Sequence, residues 1–208
     1  MLMRTINDVF AADVAATRGS VDVVGRIADS DLSRPTPCAE WDLRALVAHM
    51  TAQHRGFAAA AEGGGADLAL WRPTAEAEPV KAYAEAAEAV IAAFAAAKVA
   101  EMAEMADRDF VLPELGRTVP GRLAVGFHLI DYVVHGWDVA RALEVAYEPD
   151  QDLLDLSLPI ARAVPGGAAR SVPGAAFAPG LAAPAGSGTL DEILLLLGRD
   201  PRWRPILS

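Results

Sequence analysis

Apolar residues recur along most of this chain at the 3.6-residue period of an α-helix. The first periodic segment covers residues 6–27, with Gly19 as its weak point, and predicts a first helix. Two prolines exclude a helix from the loop at residues 31–37. A second helix is predicted over residues 40–61, since acidic residues open it and Gly63, Gly64 and Gly65 stop it.

The next two helices are predicted on either side of a connection. The first covers roughly residues 78–105, and its many alanines allow a neighbouring helix to approach closely. Residues 107–122 contain Pro113, Gly116 and Pro120, which is typical of a loop. The fourth helix is then predicted over residues 123–143.

The C-terminal part of the chain predicts shorter elements. A helix is expected over residues 153–163, a loop rich in Pro, Gly and Ala over 165–188, and a last helix from Thr189 that stops at Gly198. No run alternates as a half-buried strand would. The sequence therefore predicts an all-α protein: an antiparallel four-helix bundle over residues 1–149, with a short helical and loop extension over residues 150–208 packed on it.

Composition adds constraints on partners. The chain has 208 residues and is 53% hydrophobic, enough to fill a core. It carries 18 Lys and Arg against 28 Asp and Glu, a net charge of −10, and has no cluster of basic residues. Because nucleic acids and anionic membranes attract basic patches, we expect neither as a partner.

Cysteine content and the N-terminus bear on compartment and chemistry. Cys38 is the single cysteine, which excludes an intramolecular disulfide and a multi-cysteine zinc site. The first residues carry no apolar signal-peptide core. Charged residues interrupt the alanine-rich run at 82–106, so it is not expected to span a bilayer. These features predict a cytoplasmic protein.

The candidate chemistry lies on the fourth predicted helix. His128, Asp131, His135 and Asp138 fall within an arc of roughly 80° of this largely apolar segment. Ionisable groups are costly to bury without partners, and a metal ion is the simplest partner for this set. Asp131 and His135 lie one turn apart on one face and can bind the same ion, whereas His128 lies a further turn away.

A third ligand is expected from the second helix. His49 lies among apolar residues of the face turned to the bundle, whereas His54 lies about 140° around the helix and points elsewhere. Two histidines and a carboxylate leave coordination positions open, as in catalytic zinc sites and in iron facial triads. A second interpretation stays open, in which His135 is a core histidine hydrogen-bonded to Asp131 and His49 is a bundle histidine whose hydrogen bonds are satisfied. In this interpretation His54 and His128 are solvated or hydrogen-bonded.

Several other residues are candidates for orienting a ligand or contacting a substrate. Asp138 either orients a ligating histidine or, as we favour, pairs with Arg141. Arg141 offsets the dipole of its helix or anchors an acidic substrate. Gln53 and His128 complete this set.

Three residues have packing roles as their favoured interpretation. Cys38 precedes the second helix, where a thiol becomes more reactive, but a buried structural cysteine is the favoured prediction. Trp41 and Trp137 are expected to pack in the bundle and not to serve as substrate platforms.

Two motifs resemble those of a known family. Residues 36–49, Thr-Pro-Cys-Ala-Glu-Trp-Asp-Leu-Arg-Ala-Leu-Val-Ala-His, resemble the opening of the second helix in the mycothiol-dependent maleylpyruvate isomerase-like proteins. These proteins belong to the DinB-like superfamily of metal-binding helical bundles. Residues 127–142, with Asp-Tyr-Val-Val-His-Gly-Trp-Asp-Val-Ala-Arg-Ala, resemble the family's second metal motif. Residues 194–201 resemble the close of a branch of uncharacterised activity.

The resemblance implies a four-helix bundle with one divalent ion, most often zinc, with nickel or iron as alternatives. It implies the ligands His49, Asp131 and His135, although the isomerase has Glu where this chain has the shorter Asp131. It also implies a low-molecular-weight thiol of the mycothiol type as cosubstrate. The isomerase carries a distinct C-terminal domain that the last 60 or so residues here do not match, so its isomerase activity is not carried over.

Three functions are compatible with these features. The first is an enzyme that uses the metal to activate a thiol for transfer to, or isomerisation of, a small electrophile. For this enzyme the predicted loops at residues 63–79 and 165–188 are candidate pocket walls. The second is a metal- or ligand-binding protein without catalysis, with a sensor or stress-accessory role. The third is a bundle whose polar stripe is only a hydrogen-bonded network. A homodimer is compatible with all three.

Overall fold

The computed structural model describes residues 6–38, 41–100, 108–171 and 177–205. Within these ranges the chain is mostly helical, with six α-helices and one small β-hairpin. The helices are α1 Ile6–Val24, α2 Leu43–Glu62, α3 Pro79–Ala100, α4 Gly121–Leu143, α5 Gln151–Ala163 and α6 Thr189–Leu196. The predicted end of the third helix, at residues 101–105, lies outside the described residues.

The ends of α2 show how local sequence sets an element that carries a candidate ligand. Asp42 caps the helix, since its side chain accepts a hydrogen bond of 2.8 Å from the backbone N–H of Ala45. Gly63 ends it in the left-handed region at φ 91°, where a residue with a side chain would be strained. The helix therefore begins three residues after the predicted start at residue 40 and ends where the glycines predict.

The first four helices pack on one another in a ring. α1 lies against α4 and α3, and α2 lies against α3 and α4. α5 contacts both α1 and α4, and α6 packs on α5, so the C-terminal helices cover one side of this group. This arrangement is consistent with the fold implied by the resemblance, while the domain boundary at residues 149 and 150 stays a prediction.

A β-hairpin replaces the loop predicted at residues 107–122. Strands β1 Asp109–Leu112 and β2 Arg117–Pro120 pair antiparallel, with a short 3₁₀ turn at Pro113–Leu115 between them. Phe110 and Val119 face each other across the ladder, and both are buried. The prediction of an all-α protein is wrong at this point, because strands of four residues beside Pro and Gly give too short an alternation to register in the sequence.

The described helices also bear on membrane insertion. None of the helices in the described ranges combines the length and the apolar character needed to cross a lipid bilayer. Charged residues such as Glu85 and Glu88 interrupt α3 even though alanine dominates its sequence. The sequence-based prediction about this alanine-rich run is consistent with that finding.

Two glycines in helices provide a test of the packing. A Cβ at Gly56 in α2 would lie 2.3 Å from the buried Trp71 ring, so Gly56→Ala should lower the free energy of unfolding by about 1–3 kcal/mol. A Cβ at Gly19 in α1 would meet nothing within 4 Å, so Gly19→Ala should raise that free energy by about 0.5–1 kcal/mol. Urea unfolding measures both. Effects of the same sign would contradict the packing of Trp71 on α2.

Candidate metal centre

Helices α2 and α4 bring the three predicted ligands together. One donor atom from each of His49, Asp131 and His135 lies within 4.8 Å of the other two. The Nε2 atom of His135 is 3.4 Å from Oδ1 of Asp131, and the rings of His49 and His135 meet edge to face at 5.4 Å between centroids. That these residues ligate an ion stays a prediction, but their placement satisfies its first geometric requirement.

The donor set fits a small divalent ion in chemistry and in spacing. Zinc binds imidazole nitrogen and carboxylate oxygen at about 2.0–2.2 Å, which puts tetrahedral ligand atoms about 3.4 Å apart. The contact between His135 and Asp131 already has this length. His49 and Asp131 are partly exposed whereas His135 is 2% exposed, so the group has one closed side and one side towards solvent.

The other nitrogen of His135 faces a second carboxylate. The Nδ1 atom of His135 is 3.0 Å from Oδ2 of Asp138, which is fully buried. Arg199 donates to the same oxygen at 3.3 Å. The predicted pairing of Asp138 with Arg141 is wrong, because Arg141 instead donates to the carbonyl of Pro201 at 2.8 Å. Asp138 therefore holds His135 with Nε2 turned towards Asp131.

A second set of three donors shares His135. Cys38, Asp138 and Nδ1 of His135 also lie within 4.8 Å of one another. The guanidinium of Arg199 is 3.1 Å from the sulfur of Cys38 and 3.3 Å from Asp138, so a cation already occupies this side. A divalent ion placed there would be repelled by that charge. The group formed by His49, Asp131 and His135 is therefore the better candidate.

Charges set the protonation of the two histidines. Burial, and then the positive charge of His135, lower the pKa of His49 to about 4, so its imidazole is neutral at pH 7 and has a free lone pair. For His135, burial lowers the pKa, but Asp131 and Asp138 outweigh it and raise the pKa to about 10. These carboxylates attract positive charge to His135, which a proton or a metal ion can supply.

His128 and His54 belong to a separate cluster that contains no candidate ligand. His128 contacts Asp13 of α1 through Nδ1 at 2.6 Å and His54 of α2 through Nε2 at 3.0 Å, and all three side chains are fully buried. Burial lowers the pKa of His54 well below its usual value, and raises that of Asp13 in spite of His128. His54 does point away from the metal candidates, and both histidines are hydrogen-bonded. Asp13 was not predicted from the sequence as a member of this cluster.

Gln53 connects α2, the helix of His49, to the hairpin. It lies one turn beyond His49 on α2, is buried, and donates a hydrogen bond of 2.6 Å to the carboxylate of Glu114. Glu114 lies in the turn between the strands, where partial desolvation of the carboxyl and the charge of Asp131 raise its pKa. Glu114 was missed because its hairpin was predicted as a loop.

The remaining candidates border the centre or the core. The ring of Trp41 lies 4.6 Å from that of His49, between centroids, and packs on the hydrophobic core at the same time. Trp137 is 3% exposed within that core, which confirms its packing role. Cys38 is partly buried and lies four residues before the cap of α2, with its thiol 3.2 Å from Asp138. The structure therefore agrees with the predicted buried structural cysteine only in part, because Cys38 is not fully buried and its thiol contacts a charged side chain.

Comparison with known proteins places the chain in a family. The profile described as the mycothiol maleylpyruvate isomerase N-terminal domain matches residues 14–140, more than half of the chain. The chain belongs to this family. The part of the chain that the profile matches contains His49, Asp131 and His135, and it ends before Arg199.

Two relatives are similar to this chain over nearly its whole length. An uncharacterised protein of Mycobacterium tuberculosis strain CDC 1551 / Oshkosh is 31% identical over 202 residues, which cover 97% of this chain and 98% of the relative. An uncharacterised protein of strain ATCC 25618 / H37Rv of the same species matches with the same identity and coverage. No solved structure gives a significant match. The similarity to these relatives thus extends beyond the residues matched by the family profile to nearly the whole chain.

The buried cluster of Asp13, His54 and His128 should affect stability and not metal content. His128→Leu leaves Asp13 and His54 without their hydrogen-bond partner in the core. We expect the free energy of unfolding to fall by about 3–5 kcal/mol, measured by urea unfolding at pH 7. Asp13→Leu combined with His128→Leu should recover part of this loss, since no buried carboxylate remains. A single variant as stable as the parent would show that the cluster contributes little.

Proposed function

We propose that this protein binds one divalent metal ion, with zinc as the preferred ion, and uses it to activate a low-molecular-weight thiol of the mycothiol type towards a small electrophile. The observation that carries the proposal is the convergence of His49, Asp131 and His135 from two helices, with donor atoms within 4.8 Å. Membership of the isomerase-domain family supports it, because the matched segment contains all three residues.

The ion would be held by neutral imidazole nitrogens and one carboxylate. His49 supplies a lone pair at pH 7 because its pKa is about 4. Asp131 supplies the negative charge on the side open to solvent. His135 presents Nε2, from which the ion would displace a proton, while Asp138 holds Nδ1. When bound, the ion would supply a Lewis acid that keeps a coordinating thiol in the thiolate form at neutral pH.

Two neighbouring side chains, Trp41 and Glu114, would shield the thiol from water and transfer its proton. Trp41 covers His49 on one side and would limit the access of water to the thiol. Glu114 carries an exposed carboxyl whose pKa is raised, so it is suited to accept the thiol proton and to return it. In an addition, a sulfur lone pair forms the bond to an electrophilic carbon, and the displaced π electrons take up the proton from Glu114. Reversal after bond rotation would give isomerisation.

Metal binding is the first test. Protein purified without a histidine tag and incubated with zinc should retain one equivalent after gel filtration, measured by elemental analysis. His49→Ala, Asp131→Ala and His135→Ala should each weaken zinc binding by at least about 100-fold, the upper end of the loss seen for outer-shell partners alone. Each removes one of three donors from the group.

The control for this test is a carboxylate outside the group. Asp152→Ala changes an exposed acidic residue in the first turn of α5 and should leave the zinc affinity unchanged. If the parent protein holds far less than one equivalent of zinc, nickel or iron after reconstitution, the proposal is wrong. The polar residues of α4 would then form only a hydrogen-bonded network.

Thiol activation is the second test. In the cobalt-substituted protein, added mycothiol should produce a sulfur-to-metal charge-transfer band, because the thiolate would take an open coordination position. His49→Ala should abolish the band. Glu114→Gln should keep the band and slow conjugation of an electrophile by about 10²–10⁴-fold, as expected for loss of a proton-transfer group. Glu88→Gln, at an exposed position of α3, is the matched control and should change neither.

The alternative function gives a different result in the same experiment. A protein that binds metal with one equivalent, but shows no charge-transfer band and no turnover with any thiol, would be a metal- or ligand-binding protein with a sensor or stress-accessory role. That outcome would overturn the catalytic part of the proposal and retain the metal site.

A further inference from the structure

A buried arginine from the C-terminal segment reaches the candidate metal centre. Arg199 follows α6 and is 6% exposed. Its Nη2 atom donates to the sulfur of Cys38 at 3.1 Å and to Oδ2 of Asp138 at 3.3 Å, and its Nη1 atom donates to the carbonyl of Leu197 at 2.9 Å. A charged side chain is rarely buried to this extent unless it has a charged partner, and Asp138 is that partner.

The backbone before Arg199 turns it inwards. Gly198 has a φ of 79°, which a residue with a side chain rarely adopts, and a Cβ there would lie 2.7 Å from Ala178. The N–H of Arg199 then donates to the carbonyl of Leu194 at 2.8 Å and closes the end of α6. The direction of the arginine is thus fixed by the turn and not only by its contacts.

Arg199 acts on the centre through one intermediate residue. It holds Oδ2 of Asp138, the same oxygen that lies 3.0 Å from Nδ1 of His135. When a metal displaces the proton of Nε2, an anionic Asp138 favours keeping the other proton on Nδ1, so that the lone pair of Nε2 would face the ion beside Asp131. Removing the guanidinium would take one hydrogen-bond donor from Oδ2 of Asp138, and the carboxylate would be free to turn away from His135.

We propose that Arg199 is a positioning residue of the metal centre: it fixes Asp138 so that His135 presents Nε2 to the ion. This inference rests on the proposed function, since it concerns the orientation of one of its ligands. The planar guanidinium contacts both the sulfur of Cys38 and the carboxylate of Asp138, which the single ammonium of lysine would do less well. The C-terminal segment therefore completes the centre, although it lies outside the family profile at residues 14–140.

Another buried arginine provides a matched control. Arg170 is 9% exposed and donates to the carbonyls of Val164 at 2.9 Å and Pro165 at 2.7 Å, and to that of Leu196. It thus ties down the same C-terminal segment through backbone carbonyls. Arg170→Met should lower stability without changing the metal centre, whereas a purely structural role of Arg199 would make the two variants behave alike.

The experiment measures zinc affinity by chelator competition, and the d–d spectrum of the cobalt-substituted protein. Arg199→Met should weaken zinc binding by about 10–100-fold and shift the cobalt spectrum, as expected for loss of a group that orients a ligand. Arg199→Lys should recover part of the affinity, and Arg170→Met should match the parent protein in both readouts. Thermal unfolding of each variant reports stability separately.

A fourth variant covers the case in which Arg199→Met does not fold. Asp138→Asn with Arg199→Met leaves no uncompensated buried charge, and it should bind zinc no more weakly than Asp138→Asn alone, since both changes act through His135. Affinities of Arg199→Met and Arg199→Lys equal to that of the parent, or additive effects in the double variant, would overturn the inference. A parent protein that binds no metal would instead overturn the proposed function.

Discussion

The arrangement of this protein depends on one buried imidazole that faces a carboxylate from each of its nitrogens. His135 is almost fully buried, with Asp131 at 3.4 Å on one side and Asp138 at 3.0 Å on the other. The two sides differ, because Asp138 is fully buried and neutralised by Arg199, whereas Asp131 is 16% exposed and lies beside His49. The imidazole therefore has a carboxylate on both sides, but only the buried one, Asp138, is held by an arginine and orients the ring. The side of Asp131 is open to solvent, where a metal ion could bind.

The polar stripe of α4 serves two tasks that the structure keeps apart. His128 belongs to the cluster with Asp13 and His54, whereas His135, two turns further on, belongs to the metal candidates. Tyr132 lies between them along the helix: its ring stacks on that of His54 at 3.9 Å, and its hydroxyl donates to the carbonyl of Met50. The ring of Tyr132 packs on the cluster of Asp13, His54 and His128, and its hydroxyl is hydrogen-bonded to α2. Tyr132 therefore separates this cluster from the metal candidates along α4.

The sequence could predict what depends on periodicity along one element, and little of what depends on contacts between distant segments. The spacing of Asp131 and His135 is a property of one helix, and the apolar surroundings of His49 indicated which face of α2 it shares. The hairpin that brings Glu114 to Gln53 was missed because its strands have four residues each. Asp138 was predicted to pair with Arg141, the nearest basic residue on the same helix. Its actual partner, Arg199, is 61 residues away in the sequence, and helix spacing carries no information about such a contact.

That last error concerns the part of the chain that lies outside the family profile. The three donor residues lie on α2 and α4, within the residues that the family profile matches. The charge behind His135 comes from beyond α6, through Asp138. Changes in the C-terminal segment can therefore alter the orientation of His135 and the charge around it without replacing His135 itself. Because groups that hydrogen-bond to a metal ligand tune metal affinity, the proposed metal centre would depend on this segment as well as on the helices that carry its donors.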